Sequence, residues 1–171
     1  MSATIDPAAI ELAQRLIEVS RPVVLRHFRT GIAVERKDDA SPVTVADRAA
    51  EAAMREVLAR ETPDCGILGE EHGSEGADRD YVWVIDPIDG TRAFINGIPL
   101  FGTLIALTHK GVPVLGLVDF PALDEYWLGV TGEVTRHWGR GDDGAPVKAR
   151  ACAGLSGMRA LMARTTSRAV L

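Results

Sequence analysis

Residues 81–91, YVWVIDPIDGT, decide how the chain is read. Tyr81 to Ile85 is a run of β-branched and aromatic residues, the composition of a buried strand, and Asp86-Pro87 breaks it. The expectation is a core strand over 81–85 with two carboxylates, Asp86 and Asp89, at its carboxyl end. Asp-Pro and Asp-Gly are also ordinary turn dipeptides, so the stretch taken alone fits a tight turn equally well. A second acidic pair, Glu70-Glu71, follows another short apolar run, Gly66-Ile67-Leu68-Gly69. In open α/β sheets strand ends of this kind converge on ligand sites. Carboxylates gathered there repel one another unless a cation compensates them. Oxygen donors without histidine or cysteine select Mg2+, completed by water and substrate phosphate.

On the N-terminal side the pattern is helical. Asp6-Pro7 is an N-cap followed by proline at the first helical position, and Ile10, Ala13, Ile17, Val24 and Leu25 recur at helical spacing, predicting a helix to about Phe28 with a kink at Pro22. A short strand is expected over 32–35, then a polar loop over 37–42. Ala50, Met54, Val57 and Leu58 mark a second amphipathic helix from about Asp47 to just before Pro63. On the C-terminal side, 101–109 and 112–120 are β-rich runs joined at Lys110-Gly111, a hairpin signal, and 125–130 adds a strand. The stretch GRGDDGAPVKARACAGLSG (139–157) has no periodicity and is expected to be loop. These elements make an α+β protein: a layered α/β fold whose first domain, residues 1–150, has a largely antiparallel sheet flanked by two long helices. Residues 151–171 are expected to begin a second domain.

Composition narrows the partners. The 171 residues are 46% apolar, enough for one sizeable core. The 24 acidic and 19 basic residues are mixed along the chain, leaving no basic stripe for a nucleic-acid polymer. No apolar run approaches the roughly 20 residues needed to cross a bilayer, and the N-terminus lacks a signal-peptide pattern, so a cytoplasmic protein without a membrane partner is expected. Cys65 and Cys152 have no metal-ligand spacing and fit thiols in a reducing compartment. His27, His72, His109 and His137 are scattered and read as surface or packing residues. GRGDDG lacks the strand and helix that frame a dinucleotide-binding loop. Asp86-x-x-Asp89 lacks the alternating ligands of a calcium loop.

Three motifs, SPVTVAD (41–47), GEE (69–71) and WVIDPIDGT (83–91), resemble in letters, order and separation the first half of the inositol monophosphatase family of Mg2+-dependent, Li+-sensitive phosphomonoesterases. The resemblance implies that Glu70, Asp86, Asp89 and the carbonyl of Ile88 hold metal. It implies that Asp89 and the backbone N–H groups of Gly90 and Thr91 bind phosphate. Asp47 and Thr91, with Glu70, would be the catalytic groups, the first two forming a relay that orients and deprotonates the attacking water. Glu71 would tune the site or hold a water. Lys37 with Asp38 or Asp39 would lie on a loop closing over the metals. TRAFINGIPLFGTLIAL (91–107) and YWLGV (126–130) are most similar to the histidinol-phosphate phosphatase branch, which implies hydrolysis of histidinol phosphate in histidine biosynthesis. Inositol phosphate or another small phosphomonoester is the alternative. A small phosphorylated metabolite is thus the expected partner, and a homodimer the expected assembly. Family members carry a second half with a W-D-x-A-A-type motif that completes the site, and no such motif follows residue 91. The chain therefore resembles an N-terminal portion, with a noncatalytic metal-binding domain as the reading from another class.

Overall fold

The computed structural model describes residues 5–31, 34–36, 42–149 and 151. Helix α1 (Pro7–His27) starts as the sequence predicts: the Asp6 carboxylate accepts from Ala8 N at 2.9 Å and proline stands in the first turn. Leu12, Ala13, Leu16, Ile17, Ser20 and Val24 form its buried stripe. Pro22 lies inside the helix, where it forgoes one intrahelical hydrogen bond. Strand β1 (Val34–Arg36) pairs antiparallel with β2 (Pro42–Thr44), so Pro42 belongs to a strand rather than to the expected loop. The rest of that loop lies outside the described residues. Helix α2 (Val45–Glu61) begins two residues before Asp47, because Thr44 is its N-cap and Asp47 the third residue of a capping box.

The remaining strands, β3 (Gly66–Gly69), β4 (Gly73–Glu75), β5 (Tyr81–Asp89), β6 (Gly102–His109), β7 (Val112–Phe120), β8 (Glu125–Val130), β9 (Arg136–Gly139) and β10 (Asp142–Pro146), form one sheet. Its order is β10-β9-β8-β7-β6-β5-β3-β4, antiparallel throughout except for the parallel pair β3 and β5. The β6–β7 hairpin turns at Lys110 and Gly111 with φ of 52° and 79°, the two left-handed residues of a type I′ turn. A five-residue helix, α3 (Thr91–Ile95), follows β5 directly.

Two further sequence expectations need correction, and one strand was not expected at all. Strand β5 does not stop at Ile85 but runs through Asp-Pro to Asp89, because Pro87 falls where the β5–β6 register shifts and needs no ladder N–H. The stretch expected as loop from 139 contains β10, paired with β9 around a turn at Gly141. Strand β4, an exposed edge strand, has no pattern that would announce it. The second domain expected over 151–171 lies outside the described residues apart from Ala151.

Alternation along the strands puts Trp83, Ile85, Ile105, Leu107, Leu115, Leu117, Leu128 and Val130 on one sheet face, where α1 and α2 cover them with Leu12, Leu16, Ile17, Met54 and Leu58. A smaller cluster of Val24, Ala46, Ala50, Ile88, Phe94 and Phe101 closes the end of this layer beside α3. Arg21 of α1 ties the helix to the sheet through Asp119 of β7, whose side chain is fully buried, and also reaches Asp124. No helix among the described residues is long and apolar enough to cross a membrane.

Candidate active site

The parallel pairing of β3 with β5 sets Gly69 against Ile85, and Glu70 N continues the ladder by donating to Ile85 O at 3.3 Å. The next residues along, Glu70 and Asp86, are therefore neighbours, and their carboxyl groups share a hydrogen bond. The register shift in β5 explains why the second aspartate comes three residues later. Asp86 pairs with Leu104 and Asp89 with Gly102, so β5 carries one residue more than β6 over this interval. Strand residues alternate in facing, so positions three apart normally point to opposite sides. The extra residue reverses the alternation: Ile88 joins the helix-side core, and Asp89 returns to the side of Asp86.

Local bonds hold this irregular backbone. The Asp86 carboxylate accepts from Ile88 N at 3.1 Å, Thr103 Oγ1 donates to Pro87 O at 2.8 Å, and Thr91 Oγ1 donates to Ile88 O at 3.1 Å. Gly90 has φ of 87°, and a Cβ there would also crowd Leu100 O at 3.2 Å, so glycine is required at the turn into α3.

The electrostatics are those of crowded acids. Burial, then the hydrogen-bonded Glu70 carboxyl and the charge of Asp89, push Asp86 up to about 8. Asp47 is also raised, chiefly by burial and to a lesser degree by Glu70, against the hydrogen bonds from Thr44 that favour its ionised form. Among the described residues no three His, Cys, Asp or Glu side chains stand close enough together to hold a metal ion. What the fold gathers is a hydrogen-bonded pair, Glu70 and Asp86, with Asp89 and Asp47 in electrostatic reach. That donor set fits a hard divalent cation chemically, since a proton on Asp86 and a cation are alternative ways of offsetting the same repulsion.

The two groups of the expected relay are held separately. Asp47 Oδ2 accepts from Thr44 N at 2.8 Å and from Thr44 Oγ1, while the Thr91 hydroxyl is directed to Ile88 O. Lys37, Asp38 and Asp39 lie outside the described residues, as does Cys152. Cys65 is a free, half-buried thiol whose pKa burial raises. An apolar cavity of about 460 Å3 between the start of α1 and the sheet, lined by Leu12, Trp83 and Leu107, includes none of the carboxylates of the site.

One acidic residue close to the site was not singled out from sequence. Glu51 of α2 is completely buried and accepts from Glu71 N at 2.7 Å and His72 N at 3.1 Å, with Arg55 Nε 2.8 Å from it. The signal was present: Asp47, Glu51, Met54 and Leu58 follow the spacing of the buried stripe of α2, which marks Glu51 as an acid facing the core.

The sequence model describing the inositol monophosphatase family matches residues 2–169. The chain belongs to the inositol monophosphatase family. Among its relatives in the family, a bifunctional chloroplastic phosphatase of Arabidopsis thaliana is 46% identical over 143 residues, covering 82% of this chain and 40% of the relative. A histidinol-phosphatase of Mycobacterium tuberculosis is 41% identical over 124 residues, covering 72% of this chain and 46% of the relative. The solved structure of an inositol monophosphatase from Zymomonas mobilis superposes with a TM-score of 0.72 at 43% identity, over 87% of this chain and 55% of that one. The chain thus spans about half the length of the family members it matches. The mixed sheet with its helices is the α+β fold of these inositol monophosphatases.

Proposed function

We propose that the chain carries the cation- and phosphate-binding part of a Mg2+-dependent phosphomonoesterase acting on histidinol phosphate. The observation that carries the hydrolase reading is the meeting of Glu70 with Asp86 across the parallel β3–β5 pair, with Asp89 turned to the same side by the bulge. Glu70, Asp86, Asp89 and the carbonyl of Ile88 are the donors for Mg2+. When bound, the cation supplies electrostatic stabilisation of the phosphoryl oxygens and a lowered pKa for the attacking water.

The chain's own groups do the rest. Asp47 takes the proton of the water, and the task falls to Oδ1 because Thr44 occupies Oδ2. The Thr91 hydroxyl donates to Ile88 O, which leaves its oxygen to accept from the same water and fix its direction. The N–H groups of Gly90 and Thr91 open α3, where first-turn donors lack intrahelical acceptors, and they face the phosphate. No covalent intermediate is required.

Histidinol phosphate is favoured because histidinol-phosphatases of two organisms are 41% and 40% identical to the chain over 124 and 145 residues. Inositol phosphate is the second reading, supported by a fructose-1,6-bisphosphatase/inositol-1-monophosphatase of Aquifex aeolicus, 36% identical over 99 residues. A cytoplasmic homodimer serving histidine biosynthesis belongs to the same proposal. The test is phosphate release with Mg2+ from histidinol phosphate and inositol 1-phosphate, by this chain and by any longer polypeptide that contains it. A higher kcat/KM for histidinol phosphate is expected. A preference for inositol 1-phosphate refutes the substrate, and no hydrolysis by either polypeptide favours the noncatalytic metal-binding domain.

A further inference from the structure

Glu51, like Asp119, is a fully buried acid that the proposed chemistry leaves unused. Its carboxylate has no solvent exposure and faces the turn that follows β3. Both of its oxygens are engaged by that turn: Oε2 accepts from Glu71 N at 2.7 Å and Oε1 from His72 N at 3.1 Å. Arg55, one helical turn on, offsets the charge through Nε at 2.8 Å and also donates to Gly73 O, so the same unit grips the turn at three successive residues. His72 Nδ1 lies 3.3 Å from Glu51 Oε1. The approach is close enough to dictate the sequence of β3: a Cβ on Gly69 would lie 1.9 Å from Glu51 Oε1.

Burying a carboxylate is costly unless charge and hydrogen bonds compensate it, so a buried acid persists where its bonds fix something. Here they fix the backbone on either side of Glu70. Gly69 is held by the ladder to Ile85 and by contact with Glu51, and Glu71 is held by its N–H. Glu70, between them, has its Cα direction set from both ends, which determines whether its carboxyl meets Asp86.

We propose that Glu51, supported by Arg55, is a positioning residue that holds Glu70 in the carboxylate site through the backbone of residues 69–72. The proposal rests on Glu70 being a cation ligand. Groups of this kind, acting one step behind a ligand, change metal affinity by about 10- to 100-fold when removed. Glu51→Gln keeps the shape, but its amide nitrogen cannot accept a backbone N–H and the charge opposite Arg55 is gone.

The experiment is a Mn2+ titration followed by the electron paramagnetic resonance of free Mn2+, on the unsubstituted chain, Glu70→Gln, Glu51→Gln and Gly69→Ala. It is run at a temperature where circular dichroism shows each protein folded. Glu51→Gln is expected to weaken Mn2+ binding about 10-fold or more. Gly69→Ala is expected to do the same with the Glu51 carboxylate still present, which keeps the question open to measurement if Glu51→Gln fails to fold. Binding that Glu70→Gln loses but that both other variants retain overturns the positioning role, whatever happens to their melting temperatures. Absence of Mn2+ binding by the unsubstituted chain overturns the cation site itself, and the positioning role with it.

Discussion

Asp86→Asn should stabilise the cation-free protein while removing the donor that Mg2+ would use. The Asp86 carboxyl ionises at about 8 in the fold against an ordinary 3.8, so between these values the folded chain binds a proton that the unfolded chain has lost. Stability therefore falls as pH rises through that window, by up to about 1.4 kcal/mol per pH unit for a group shielded from water. Asp86 is only half-buried, and solvent screening reduces the whole effect to about 1–2 kcal/mol. Asparagine mimics the protonated carboxyl: its oxygen still accepts from Ile88 N, and its amide can donate to Glu70. In EDTA, the variant should melt about 3–6 °C above the parent at pH 8, with the gap closing toward pH 4. Thermal scans by circular dichroism at pH 4, 6 and 8 measure this directly. The other raised acids, Asp47 and Asp119, are common to both proteins and cancel in the difference. A variant less stable than its parent at pH 8, or a gap that does not widen with pH, would refute the account of crowded acids.

Arg21→Ala should destabilise the chain by about 3 kcal/mol in urea unfolding at pH 7, since it leaves the fully buried Asp119 without its partner. The loss should shrink as pH falls, because burial raises the Asp119 pKa and lets the unpaired carboxyl take up a proton; a loss below about 1 kcal/mol at pH 7 would show that the pair holds little. Thr44→Ala removes the side-chain cap of α2 and should lower stability by about 1 kcal/mol in the same assay. If Asp47 takes a proton from water, this variant should also change the pH profile of phosphate release, because Thr44 Oγ1 stabilises the ionised form of Asp47.

Where local signals and packing agreed, the sequence was legible. The Asp6-Pro7 start of α1 and the Lys110-Gly111 turn are written in residues whose backbone preferences allow little else. The β9–β10 hairpin was illegible for the opposite reason. Arg136–Gly139 and Asp142–Pro146 are polar and glycine-rich, and much of what orders them is tertiary: Trp138 stacks on Tyr126 with ring centres 4.8 Å apart. Pro87 misled because proline argues against a strand only where the ladder needs its N–H, and a bulge removes that need. The acids Glu70, Asp86 and Asp89 of the proposed site stand out by their letters, but the contact between Glu70 and Asp86 depends on a parallel pairing that no local pattern announces. Glu51 shows the limit of reading letters without phase, since an acid on the buried stripe of a helix is conspicuous only once the stripe is drawn.

The bulge over Pro87 and Ile88 makes residue count, more than residue identity, the variable to which this strand is sensitive. On an unbulged strand the same spacing of three would turn Asp89 away from Asp86, and deleting either residue would return both aspartates to one face at a spacing of two. Grafting the pair onto another sheet would need the spacing of three together with Thr91 and Thr103, whose hydroxyls satisfy the carbonyls of Ile88 and Pro87. Two aspartates separated by a single residue would share a face on an unbulged strand, but without the Ile88 carbonyl turned toward Thr91 between them.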